Sequence, residues 1–372
     1  MNRSDWLIRV KDSLVEFLNM LQIPGETGRF LPCTKGLSHE GRQIALGFSC
    51  LSLKVYYTLG LWDKLYSKEQ KEWIRFIRSF QANGKPMGKW VTHNAFIDKP
   101  VIAYLGRQTS CYKRLMDGVL YPNRLTYLQR VIIAETKQAL ATLAQVGESP
   151  NQPYRGFPKT ERDVKNYLSN LDWTQPWGSG AQVSALAVFL TSQATGFLKP
   201  EEAKQLLDVC RCFIGSLADL ETGAYFKGPS PPYEMLINGA MKILTALDWL
   251  NGSIHFPERL IDTCLQCLPT SEGCHLVDAI YVLYRCSQQS EHRKADIQTY
   301  GKKVLEIIKE HTHRDGGFSY GRQRSQTHYY GVPISKGYAV SDIHGTCLLT
   351  WAVAMILEIL DDNWVGWNVI RP

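Results

Sequence analysis

The chain has 372 residues, 44% apolar and 21% charged, and a formal net charge of +7 from 42 basic and 35 acidic side chains. That composition fits a globular protein with ample core and excludes disordered or collagen-like chains. The cations are dispersed rather than clustered, which argues against a nucleic-acid binder. No apolar run reaches the roughly 18 residues of a membrane span, and the opening MNRSDWLIRV is not a signal peptide. With ten irregularly placed cysteines, reduced thiols and a cytoplasmic location are expected.

Six helix pairs are predicted in chain order, each an amphipathic helix followed by one that is apolar nearly all round. They are 5–22 with 39–59, 67–81 with 95–116, 123–146 with 179–194, 200–218 with 234–250, 256–268 with 273–287, and 295–312 with 342–360. A short phrase recurs after the first members: ETGRF at 26–30, ETGAY at 221–225 and RDGGF at 314–318. Its glycines, Gly28, Gly223 and Gly316, suit the left-handed turn that ends a helix. Such recurrence marks a repeat architecture. Six enclosed helices within six amphipathic ones predict an all-α (α/α)6 toroid. It forms a single domain over 1–372, with 361–372 as a C-terminal tail. The loops 23–38, 82–94, 147–178, 219–233 and 313–341 then gather at one mouth, where long loops tend to carry function.

The punctuation Asp315-Gly316-Gly317-Phe318-Ser319, followed by Asp342-Ile343-His344-Gly345-Thr346-Cys347, resembles the toroids of terpenoid (squalene/hopene-type) cyclases and protein prenyltransferase β subunits. The resemblance implies a toroid and an isoprenoid or prenyl diphosphate substrate. Aligned on Thr346, Asp342 matches the first carboxylate of the cyclases' Asp-x-Asp-Asp-Thr motif, but His344 and Gly345 replace the other two. An imidazolium is too weak an acid to protonate an alkene. Gly345 also stands where the prenyltransferases place a zinc-binding His. The Asp-x-Cys pairs Asp208/Cys210 and Asp262/Cys264 fall on outer helices. Cys274-His275 is similar to the Cys-His pair of lanthipeptide cyclases. Cys264-x-x-Cys267 beside it supplies ligand types for zinc, but it too falls on an outer helix. No cofactor or metal site is therefore expected.

The densest group of titratable residues lies at 313–346. Asp342, His344, Tyr338, His328 and Tyr330 are the candidate catalytic groups, able to move protons near neutral pH once their surroundings shift them. Arg322, Arg324 and Lys336 are candidate substrate-binding cations. The plainer reading of Asp342 is a helix cap. Trp173 and Trp177 precede the third apolar helix as candidate stacking residues, and Gln182 and Asp278 interrupt apolar helices as candidate cavity residues. Further cations, Arg29, Lys35, Arg155 and Lys227, recur in the same loops.

Three functions fit these residues: an isoprenoid-type enzyme, a carbohydrate-active toroid (polysaccharide lyase, uronyl hydrolase or sugar epimerase), or a non-catalytic scaffold. The motif resemblance favours the first. A small-molecule or oligosaccharide substrate is the expected partner. A cavity walled by Phe, Leu and Trp, with cations only at the rim, would support the isoprenoid reading. A wide groove with exposed Trp, Tyr, His and Arg would support a saccharide, and a plugged axis the scaffold.

Overall fold

The computed structural model describes residues 3–83, 93–108, 125–270, 273–361 and 366–372. Among them, in chain order, are α1 (Arg3–Leu21), α2 (Leu46–Thr58), α3 (Ser67–Arg78), α4 (Lys99–Gln108), α5 (Tyr127–Gln145), α6 (Glu161–Ser169) and α7 (Pro176–Gln193). There follow α8 (Pro200–Gly215), α9 (Tyr233–Trp249), α10 (Pro257–Cys264), α11 (Gly273–Ser287), α12 (Lys294–Lys309), the hairpin β1 (His328–Tyr329) and β2 (Val332–Pro333), and α13 (Ile343–Ile359). No helix among the described residues is long and apolar enough to cross a membrane.

Burial separates two layers. In α2 only Tyr57 escapes burial, and α13 is buried at all but three of its positions. In α3 only Trp73, Ile74 and Ile77 are buried, on one stripe. Helices apolar on all sides must be enclosed, and here they enclose one another. α2 packs on α5, α5 on α7, α7 on α9, α9 on α11, α11 on α13, and α13 returns to α2. The inner ring is closed, and the fold is an (α/α)6 toroid. The outer layer is α1, α3, α6, α8, α10 and α12. Apart from α4, outer and inner helices alternate along the chain, and the inner helices run in one direction: the first two turns of α9 and α11 meet at Asn238 and His275, and the last turns of α11 and α13 meet at Tyr284 and Glu358.

Helix starts follow local chemistry. Thr126 and Gln129 cap α5 reciprocally, at 3.2 and 2.8 Å. Thr160 accepts from Asp163 N at the start of α6, and proline opens α7, α8 and α10, where a missing N–H costs nothing. The recurring phrase has one structure at each copy. Gly28, Gly223 and Gly316 are left-handed, and isolated antiparallel bridges Gln22–Phe30, Ala218–Tyr225 and Thr312–Phe318 close the turns. The bridging aromatics Phe30, Tyr225 and Phe318 are fully buried.

Three expectations are corrected. The segment 95–116 was expected as an inner helix. Its described part, α4, buries only Val101 and Leu105 and packs outside the ring, on α5 and β2. The segment 123–146, expected as an outer helix, is the inner helix α5. Its Glu135, Lys137 and Gln138 imitate a solvent face, yet Glu135 is 1% exposed. The outer partner of α7 is the short α6, inside what was expected to be the loop 147–178. The tail also packs back onto the ring. Ile370 is buried, Asn368 N donates to Thr58 O at 2.7 Å, and Trp249 Nε1 donates to Pro372 O at 2.8 Å.

Candidate functional site

The connection from α12 to α13 folds around two carboxylates. Asp315 accepts from Ser341 N and, at 2.6 Å, from its hydroxyl, and also from the Thr34 hydroxyl. Asp342 accepts from Gly345 N through Oδ1 at 2.8 Å, and from Tyr320 N and Gln326 N through Oδ2 at 2.7 and 3.0 Å. Burial pushes its carboxyl up to about 6, against the pull of these backbone donors. Both oxygens are thus committed to α13 and its preceding loop. Gly345 leaves no room for the metal-binding side chain of the prenyltransferase pattern: a Cβ there would lie 2.3 Å from Tyr320 N.

The other loop candidates do not converge. Arg322, Arg324, His328 and Lys336 are exposed, as is Tyr338, which packs on Gly36. Arg322 pairs with Glu310 at 2.9 Å, and His328 Nδ1 bonds its neighbour Thr327. Tyr330, with a left-handed backbone, lies against Tyr329 at 4.5 Å between ring centres. His344 is different: its ring stacks on Tyr320 at 5.2 Å and its Nδ1 is buried with no hydrogen-bond partner among the described residues. Burial and the neighbouring Lys242 and Lys54 hold this imidazole down to about 4, so it is neutral at physiological pH.

His344 belongs to a group on the ring axis that gathers side chains from five inner helices. Lys54 is on α2, Lys137 and Gln138 on α5, Asn238 and Lys242 on α9, and His275 and Asp278 on α11. Lys54 is 5% exposed and donates to Gln138 Oε1 at 3.4 Å. Lys137 and Lys242 have neither an ion-pair nor a hydrogen-bond partner among the described residues. Burial lowers the Lys54 ammonium, and burial together with Lys54 and Lys242 lowers Lys137 well below its ordinary value. Lys137 and Lys242 are both half-buried. Asp278 faces Lys242 and His275, and burial raises its carboxyl to about 6. Asn238 Nδ2 lies 3.0 Å from His275 Nδ1. A buried cation without a carboxylate partner, as at Lys54, is costly, and such arrangements concentrate at functional sites.

A second acidic group borders the axis. Glu135 accepts from the Tyr329 hydroxyl at 2.5 Å. Burial and the nearby Asp98 raise its carboxyl to about 8, so at neutral pH it holds its proton. Asp98 Oδ2 accepts from Ala45 N and Leu46 N at 2.8 and 2.9 Å, capping α2 from outside the helix. The second oxygens, Asp98 Oδ1 and Glu135 Oε2, are buried without partners among the described residues.

Of the remaining candidates, Asp278 joins the axial group. Gln182 does not: it points to the outer layer and accepts from the Tyr167 hydroxyl at 3.2 Å. Trp173 is buried, donates to Leu168 O at 2.9 Å and packs on Phe213 at 5.8 Å, while Trp177 is half exposed at the start of α7. Trp90, whose indole is a third candidate for stacking on a sugar by residue type, lies outside the described residues. Sequence reasoning missed Lys54, Lys137, Lys242, Asn238, Asp98 and Glu135. A signal was available: each lysine is a lone cation inside an inner-helix pattern, as in SCLSLKVYY and GAMKILT.

No protein-family model matches the chain, and no curated protein does. Among solved structures the chain is similar to a polysaccharide lyase, with 12% identity over 96% of this chain and 99% of that one and a TM-score of 0.47. It is also similar to a possible member of the GH105 family from Klebsiella pneumoniae, with 13% identity, coverage of 97% and 94%, and a TM-score of 0.45. A third is a possible GH105 member from Salmonella enterica serovar Paratyphi A, with 12% identity, coverage of 95% and 94%, and a TM-score of 0.40. At this level of similarity they bear on neither reaction nor substrate.

Proposed function

We propose that the chain is an enzyme that acts on a carboxylate-bearing saccharide bound on the ring axis. The observation that carries this reading is the placement of Lys54, Lys137 and Lys242 together in the interior, beside Asp278 and His344. The axial side chains at this depth include amides, imidazoles and a carboxylate. These suit a polyhydroxylated ligand and are ill suited to a prenyl chain, while the loop cations Arg322, Arg324 and Lys336 stay on the exterior. The isoprenoid expectation therefore gives way to the saccharide one.

The chemistry that fits is proton abstraction beside a carboxylate. Lysine ammonium groups in a water-poor site neutralise the uronate, so charge delocalised into it during abstraction is stabilised. The neutral imidazole of His344 accepts the proton. As the C–H bond breaks and the carbon–carbon double bond forms, the glycosidic oxygen leaves with its electron pair. Asp278, with its carboxyl raised to about 6, supplies the proton to that oxygen. A bound carboxylate raises it further.

Incubation with a panel of uronate polymers and oligomers tests this through the ultraviolet absorbance of the unsaturated product. Turnover is expected, falling by about 10²–10³-fold in Lys242→Met, the scale for losing one preorganised charge contact. Absence of turnover, together with no thermal shift on adding any uronate oligomer, would refute it.

A further inference from the structure

A cavity of about 610 Å³ lies between the start of α2, the end of α3 and the start of α4. Its apolar walls include Phe76, Phe80 and Ile97, and its polar lining includes Arg29, Gln43, Asp98 and Lys99. Phe76 and Phe80 meet edge to face at 5.3 Å and are half-buried, so part of each ring remains uncovered. The Arg29 charge is already matched by Glu26 at 2.8 Å. Asp98 has one oxygen capping α2 and the other without a partner among the described residues.

We propose that this cavity is a second subsite, which holds a neutral pyranose ring of the same saccharide. The inference rests on the saccharide reading of the axis. A pyranose has an apolar C–H face and a polar hydroxyl edge. The phenylalanine rings fit the face, and the Gln43 amide and the Arg29 guanidinium fit the edge. Counted formally, Arg29 and the exposed Lys99 are offset by Glu26 and Asp98, and this absence of net charge favours a neutral unit here, in contrast to the axis. The two places are physically linked. Asp98 neighbours Glu135, which holds Tyr329, and Tyr329 packs on Gly47 in the first turn of α2. Ala45 in the cavity wall and Lys54 on the axis are nine residues apart, about 13 Å along a helix. A single pyranose unit is much shorter than this, so the two places suit non-adjacent units of one oligosaccharide.

The test uses the full chain carrying carbon-labelled phenylalanine. Neutral gluco- and galacto-oligosaccharides are expected to shift the Phe76 and Phe80 ring signals in the wild type and equally in Lys242→Met. For a uronate oligomer that is turned over, Phe80→Ala is expected to raise KM about tenfold. Only longer chains are affected, with kcat unchanged. Gln43→Ala, on the exposed rim, gives a smaller rise in the same direction and covers the case in which Phe80→Ala does not fold. Ring signals unmoved by every neutral oligomer, or a KM effect independent of chain length, overturn the subsite. Turnover with silent rings removes the subsite and leaves the axial reading standing. Ring shifts without turnover of any uronate do the reverse.

Discussion

Glu135 shows how one buried side chain shapes the molecule's response to pH. Its carboxyl sits at about 8 in the fold against an ordinary 4.5. Between these values the folded state binds the proton more tightly than the unfolded chain, so this residue's contribution to stability falls as pH rises. Asp278 and Asp342, both raised to about 6, act in the same sense at lower pH. His344, lowered from 6.5 to about 4, acts oppositely there, because its protonation favours unfolding. The lowered Lys54 and Lys137 also oppose Glu135, so the difference between wild type and variant is the informative quantity. Glu135→Gln keeps an acceptor for Tyr329 and removes the titration. Urea unfolding at pH 6.5 and pH 8 is expected to show the variant gaining on wild type with rising pH, by at most about 1.4 kcal/mol per unit. Parallel pH profiles would show that Glu135 is ionised in the fold.

At the scale of the element, α13 depends on Asp342. Its carboxylate ties the helix start to Gly345 N and the incoming loop to Tyr320 N and Gln326 N. Side-chain caps and charge-assisted bonds are each worth on the order of 1–2 kcal/mol. Asp342→Asn is therefore expected to lower stability by about 2–4 kcal/mol, read as a lower urea midpoint. His344→Gln should leave that midpoint nearly unchanged and remove turnover. An unchanged midpoint in Asp342→Asn would return that carboxylate to the chemistry. Both residues stand out equally in the sequence; only the bonding of their side chains separates a cap from a candidate base.

Across the whole molecule, the repeat phrase, the all-round apolar helices and the left-handed glycines made the toroid legible before any coordinates. The site was less so. Inward-facing charge on α5 looks like solvent-facing charge on an outer helix, because periodicity reports a polar stripe but not what lies beyond it. The exposed loop residues Arg322, Arg324, His328 and Lys336 drew attention by their density, although a surface loop is where charge is least costly. Lys54, Lys137 and Lys242 sit far apart in sequence, and only ring closure brings them together.

That closure has an electrical consequence. The six inner helices share one direction, so the positive ends of their peptide dipoles all face the same opening. Their fields add over that opening and draw a negatively charged molecule inward before any side chain touches it. The rate at which a uronate oligomer associates is accordingly expected to fall as sodium chloride is raised, with stopped-flow fluorescence as the readout. The dependence should persist when Arg322 and Arg324 are both replaced by Gln, since the attraction then comes from the backbone and the deep ammonium groups rather than from the rim.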